Sequence, residues 1–162
     1  MVQTMRFRGQ FKYAIDHKGR IAVPAPFRRA LEAANQRTLV LTKGYDGEVE
    51  VHPLSEWERF EDEVLMNIPR YKKETRRFMR RRAASATEVD IDSQGRIMIP
   101  RHLAEYAHLE GEATVSGAVN YFELWNPANF ENFDEESEAK QEEDSENLEN
   151  YLSDGRRSED VN

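Results

Sequence analysis

A ten-residue stretch occurs twice in this chain, and it constrains the fold more than any other feature. Ile15-Asp16-His17-Lys18-Gly19-Arg20-Ile21-Ala22-Val23-Pro24 is matched by Ile91-Asp92-Ser93-Gln94-Gly95-Arg96-Ile97-Met98-Ile99-Pro100. Both copies read Ile-Asp-x-x-Gly-Arg-Ile-x-[Val/Ile]-Pro, 76 positions apart from Ile15 to Ile91. A weaker echo follows, because Gly44 to Val51 aligns with Gly117 to Leu124, and Trp57 falls opposite Phe130. Self-similarity at a fixed spacing is the mark of a duplicated structural unit. Function then comes from two related surfaces held in fixed geometry, not from one pocket.

Within each copy the local chemistry is that of a strand, a turn and a second strand. Phe11-Lys12-Tyr13-Ala14-Ile15 alternates large apolar with smaller or polar residues, and Ile21-Ala22-Val23 and Ile97-Met98-Ile99 are short β-branched-rich runs, the pattern of half-buried strands. In Asp-x-x-Gly-Arg the Asp carboxylate can accept bonds from nearby backbone N–H groups and Gly supplies a positive φ. Asp16, Gly19, Asp92 and Gly95 are therefore read as loop-orienting residues, with Arg20 and Arg96 beside the tips. Pro24 and Pro100 end the strands, and Pro26 to Ala34 reads as a short helix with Pro in its first turn. A longer helix is expected from Ser55, capped by its hydroxyl with Glu58 reaching back, and presenting Trp57, Phe60, Val64, Leu65 and Ile68 on one face until Pro69.

Charge is unevenly placed. Residues 131–162 carry thirteen Asp or Glu against Lys140, Arg156 and Arg157, a net of −10 within a whole-chain charge of −8, so residues 1–130 sit at +2. After Phe133 the sizeable apolar residues of that segment are Leu148, Tyr151, Leu152 and Val161, too few to offset the entropy of ordering it in a core. Disorder is expected there. The opposite extreme is Arg70 to Arg82, with eight basic side chains and one acidic. It is either a solvated helix or a phosphate-binding surface.

Catalysis has little support. His17, His52, His102 and His108 are scattered, there is no cysteine, and neither a P-loop nor Gly-x-Gly-x-x-Gly occurs, so neither a thiolate zinc site nor a disulfide framework is possible. Asp90-x-Asp92 could hold Mg²⁺, but Ala14 replaces the first carboxylate in the other copy. No metal and no cofactor is expected. No apolar run approaches the roughly 20 residues that cross a bilayer, and Met1 to Gly9 lacks the apolar core of a secretory signal. A cytoplasmic protein without membrane association is expected.

Several motifs in order then carry a family resemblance. Phe7-Arg8-Gly9, the two Asp-x-x-Gly-Arg turns, Pro53-Leu54-Ser55-Glu56-Trp57 and Phe122-Glu123-Leu124-Trp125 together resemble MraZ, the bacterial regulators of the division and cell-wall gene cluster. The resemblance runs from Arg6 to about Phe133. It implies a mixed, mainly β fold with short helices: two AbrB-like swapped-hairpin barrel modules forming an intrachain pseudo-dimer, with a disordered acidic tail added. The divisions expected are a flexible N-terminus (1–5, with Met5 an alternative start), a first repeat (6–69), a basic helical connector (70–82), a second repeat (83–133) and the tail (134–162).

The resemblance also implies a nucleoid-associated transcriptional repressor, a ring homo-oligomer that binds double-stranded DNA at direct repeats upstream of that gene cluster. Arg20 and Arg96 take the DNA-facing positions by motif, with Lys18 and Gln94 in the same loops. Arg6, Arg8 and Lys12 are further DNA-binding candidates, and Arg76, Arg77, Arg80 and Arg81 candidate phosphate contacts. Taken without the resemblance, Asp16/Arg20 and Asp92/Arg96 read as ion pairs that fix hairpins. With it, Asp orients the loop and Arg reaches outward, where a guanine O6/N7 pair is worth roughly 1–3 kcal/mol of discrimination. The competing reading is an antitoxin-like or other protein-interaction module whose acidic tail binds a basic partner; duplication within one chain argues against it.

Overall fold

The computed structural model describes residues 5–159. Residues 1–4 of the expected flexible N-terminus and 160–162 of the expected tail lie outside it. Among the described residues eight strands form: β1 (Gln10–Ala14), β2 (Arg20–Ala22), β3 (Thr38–Lys43), β4 (Val49–Pro53), β5 (Thr87–Asp90), β6 (Arg96–Met98), β7 (Glu112–Gly117) and β8 (Phe122–Trp125). Short helices α1 (Ala25–Ala33) and α4 (Arg101–Tyr106) follow the two repeated turns, α2 (Leu54–Phe60) follows the first hairpin, and α3 (Lys73–Ser85) connects the copies.

Six strands form one antiparallel sheet in the order β1-β7-β8-β4-β3-β5, while β2 and β6 form a separate two-stranded ribbon. The sheet is open, with β1 and β5 at its edges. Its order is unchanged when the two sequence copies are exchanged, which places a pseudo-two-fold between β4 and β8. The copies are interlocked. First-copy β1 pairs with second-copy β7, and second-copy β5 pairs with first-copy β3. Matching bonds repeat the exchange: Ile15 N–H donates to Gly111 O at 2.8 Å and Ile91 N–H to Arg37 O at 2.9 Å, while Val23 N–H reaches Gly95 O at 2.9 Å and Ile99 N–H reaches Gly19 O at 2.8 Å. The described residues up to Pro127 form one compact unit accordingly.

The core of that unit is built around three phenylalanines from distant parts of the chain. Phe7, Phe27 and Phe122 are each 1 % exposed, with ring centroids 5.2, 5.4 and 5.1 Å apart. Phe27 comes from the apolar face of α1. Burying a ring of this size contributes about 1.5–3 kcal/mol, and tilted or edge-on pairs add roughly 0.5–1.5 kcal/mol each. Ile21 and Ile97, opposite each other in the ribbon, fix its inner face to this core. Met5 is buried there too.

The helix expected from Ser55 begins one residue earlier and differs at its cap. Pro53 holds the cap position without a side-chain bond, and Ser55 N–H donates instead to Gln36 Oε1 at 3.2 Å. After Phe60 the helix widens into a π-turn over Glu61–Leu65, which keeps Leu65 buried while Val64 faces solvent.

The expectation of a disordered acidic tail is corrected. From Ala128 the chain forms a second unit, and one helix, α5, spans Pro127–Glu159. A scarcity of apolar residues bears on core packing and leaves local helix formation open. Pro stands at the first helical position, where its missing N–H costs nothing. Glu, Ala, Lys, Gln and Leu are strong helix formers. Ser137, Ser145 and Ser153 return their hydroxyls to the carbonyls of Phe133, Gln141 and Glu149 at 2.7–2.8 Å.

Candidate nucleic-acid interface

The two repeated turns have the same internal geometry. Asp16 Oδ1 accepts from Lys18 N–H and Arg20 N–H, both at 2.9 Å. Asp92 Oδ1 accepts from Gln94 N–H and Arg96 N–H, again at 2.9 Å. Gly19 and Gly95 adopt φ of +79° and +75°, a conformation that glycine reaches without steric cost. The Arg20 backbone N–H holds the Asp16 carboxyl down at about 2, outweighing desolvation, with the Arg20 side chain and Lys18 N–H adding to the effect. The Arg96 backbone N–H likewise lowers Asp92 below its ordinary value. Both carboxylates stay ionised throughout the physiological range.

Each arginine is held by its own aspartate through one nitrogen. Arg20 Nε lies 2.8 Å from Asp16 Oδ2 and Arg96 Nε 3.0 Å from Asp92 Oδ2. A longer contact, Arg96 Nη1 to Asp16 Oδ2 at 3.9 Å, ties one copy to the other. The arginines occupy opposite ends of the β2–β6 ribbon, with Arg20 across from Met98 and Arg96 across from Ala22. At the tips, His17, Lys18, Ser93 and Gln94 are exposed.

The other basic candidates fall in different settings. Arg6 and Arg8 are exposed beside the buried Phe7, and Lys12 on β1 reaches Glu112 at 3.7 Å. Arg77 and Arg80 are exposed on α3, while Arg76 donates to Arg70 O at 2.8 Å. Arg81 is turned to Tyr106 Oη at 3.0 Å. Arg82, four per cent exposed, is a buried anchor: its Nη2 lies 2.6 Å from Glu50 Oε1 and its Nη1 donates to Lys43 O at 3.0 Å. The rings of Tyr45, Trp57 and Phe60 surround its guanidinium at 5.0–5.5 Å. Basic character in α3 is thus divided between a fastening end and an exposed stretch.

Arg82 serves an acidic seam on the pseudo-two-fold. Glu50 and Glu123 occupy equivalent positions in the two copies and face each other across β4–β8, and Glu48 is buried nearby. Burial raises Glu50, but bonds from His52 and Arg82 outweigh it and leave it below its ordinary value. Glu123 has Trp125 Nε1–H as donor at 3.3 Å, and burial together with the charge of Glu48 pushes it up to about 7.

Motif reading did not single out Arg28, Arg82 or Met98. Arg28 from α1 packs over the second turn so closely that a Cβ on Gly95 would lie 2.5 Å from its Nη1. Its counterpart at the repeat spacing is Ala104, and that asymmetry was the available signal. Arg28, Glu32, Arg37 and Ser93 line a cleft of about 420 Å³ there. Among the described residues no cluster of three His, Cys, Asp or Glu is arranged to hold a metal, and no helix is long and apolar enough to cross a membrane.

A family profile described as "MraZ protein, putative antitoxin-like" matches residues 6–81 and 83–151. The chain belongs to the MraZ family. Its two matched segments follow the two sequence copies, and the second extends well into the acidic segment, so the family pattern reaches past Phe133, where the motif resemblance stopped. The Transcriptional regulator MraZ of Pediococcus pentosaceus is 41% identical over 142 residues, covering 88% of this chain and 96% of that relative.

Proposed function

We propose that this MraZ-family chain is a sequence-specific DNA-binding transcriptional regulator that represses from direct repeats upstream of a division and cell-wall gene cluster, acting in the cytoplasm on the nucleoid. The observation that carries the reading is the paired geometry of the two turns. A guanidinium has two hydrogen-bonding edges, and an aspartate that engages Nε leaves the Nη1/Nη2 fork for another acceptor, in Arg96 in exchange for the long 3.9 Å contact of its Nη1 to Asp16. Guanine O6 and N7 match that fork, and the major groove admits a two-stranded ribbon. Asp16 and Asp92 therefore orient Arg20 and Arg96, Gly19 and Gly95 permit the turns, and Lys18 and Gln94 extend the contact at the tips.

The interlocked strands support an assignment of 6–69 and 83–133 as two AbrB-like swapped-hairpin modules in one pseudo-dimer, joined by the basic segment 70–82. Arg6, Arg8, Lys12, Arg76, Arg77, Arg80 and Arg81 supply phosphate contacts, which position the protein without reading sequence. Assembly of several chains into a ring brings many loops to a repeated array, and linked weak contacts then gain affinity through effective concentration. The Pediococcus relative's name, Transcriptional regulator MraZ, is consistent with this role.

Fluorescence anisotropy on the DNA upstream of the protein's own gene, against a shuffled duplex across a salt series, tests the reading. Preferential binding to the native repeats, weakened by Arg20→Ala and by Arg96→Ala with the fold intact, is the expected result. Equal and steeply salt-dependent binding to both duplexes would contradict it.

A further inference from the structure

We infer that Met98 reads a thymine methyl group next to the base contacted by Arg20, which makes the two ends of the ribbon recognise different sequences. The inference rests on the DNA-binding role proposed above. In the ribbon Ile21 and Ile97 are each 1 % exposed and face the core. Side chains alternate along a strand, so Arg20, Ala22, Arg96 and Met98 occupy the opposite face. Met98 is 50 % exposed there and lies directly across from Arg20. The pseudo-two-fold places Ala22 in the corresponding position across from Arg96.

A single exposed apolar residue is ordinary on a protein surface. This one differs in its setting, because it stands on a three-residue ribbon between the two arginines that the duplication supplies. A face that enters the major groove meets mainly hydrogen-bonding groups, and the apolar feature there is the C5-methyl of thymine. An unbranched thioether can adjust to such a methyl over a range of positions, whereas Ala22 presents a side chain three heavy atoms shorter at the equivalent position. One ribbon end therefore reads an arginine-contacted base and an adjacent thymine, and the other reads the arginine-contacted base alone.

Anisotropy on the full-length protein tests this with native upstream duplexes in which each thymine is replaced, one at a time, by deoxyuridine, which removes only the methyl. The wild type is expected to lose about fourfold in affinity at one thymine per bound element, the worth of one buried methyl-sized group. Met98→Ala should bind the thymine and deoxyuridine duplexes equally at that position, and Ala22→Met should create a second methyl-sensitive thymine. Specific binding by the wild type with no methyl-sensitive position, or a Met98→Ala protein that keeps the wild-type sensitivity, overturns the inference and leaves the arginine reading intact. A Met98→Ala protein that changes its assembled mass while keeping that sensitivity also overturns it, and assigns Met98 to contact between chains. A wild type that fails to prefer its own DNA over shuffled sequence removes both proposals together.

Discussion

Replacing Arg82 with alanine should be among the most damaging single changes in the protein. Arg82 is four per cent exposed and Glu50 three per cent, so the 2.6 Å contact between them has little access to water. Removing the arginine leaves a buried carboxylate with His52 Nε2 at 2.8 Å as its remaining side-chain partner and orphans Lys43 O, which accepts from Arg82 Nη1. Breaking a buried pair by deleting one partner costs about 3–5 kcal/mol, and the three aromatic faces around the guanidinium contribute about 1 kcal/mol more. Against this stands Arg82 Nε, which is buried without a partner and recovers its own desolvation of about 1 kcal/mol when it is removed. A net loss of about 4 kcal/mol follows, a midpoint shift of about 2 M urea for a typical slope near 2 kcal/mol per molar. Urea titration followed by circular dichroism at pH 7.5 measures it. The pair Glu50→Gln with Arg82→Met should be less damaging than Arg82→Ala alone, because no uncompensated charge is buried. A loss below about 1 kcal/mol for Arg82→Ala, or a double variant no better than the single one, would refute the reasoning.

Two further perturbations test other parts of the account. Glu123 has its folded pKa raised to about 7 from an unfolded value near 4.5, so the folded state retains a proton that the unfolded chain releases between these values, and stability falls as pH rises from about 4.5 to about 7. Glu123→Gln should flatten that interval and raise the melting temperature at pH 8 relative to the wild type; an unchanged pH profile would contradict the assignment. The repeated glycines should respond unequally to alanine: both have positive φ and each substitution costs about 1 kcal/mol for that reason, but a Cβ at Gly95 also meets Arg28 Nη1 at 2.5 Å, while the nearest atom at Gly19 is Ile99 O at 3.7 Å. Thermal denaturation should therefore show Gly95→Ala as the more destabilising change, with the gap narrowing in an Arg28→Ala background.

Features set by chemistry within a few residues were legible in the sequence. Asp-x-x-Gly-Arg specified its turn because acceptor, donor N–H groups and positive-φ glycine lie within five positions, and Pro24 and Pro26 marked the end of β2 and the first turn of α1. The exchange of strands between copies was not readable from local pattern, since Phe11-Lys12-Tyr13 has the same alternation whether it pairs with β3 of its own copy or, as observed, with β7. Arg82 belonged to an eight-cation run that looks uniformly solvated; its burial depends on Glu50, 32 residues earlier on a strand. The acidic segment was misjudged because too little apolar surface for tertiary packing was equated with absence of secondary structure, whereas helix propensity is local. At the turns, the Nε grip of Asp16 on Arg20 is the ion pair that fixes the hairpin, and under the proposed function the same pair also directs the fork.

Methylation interference on the upstream DNA tests the central claim most directly, because N7-methylguanine cannot accept the second hydrogen bond of an arginine fork. Two interfering guanines per bound protein unit are predicted, one lost from the pattern with Arg20→Ala and the other with Arg96→Ala. A pattern identical in wild type and both variants would contradict the claim that these two ribbon arginines read the bases.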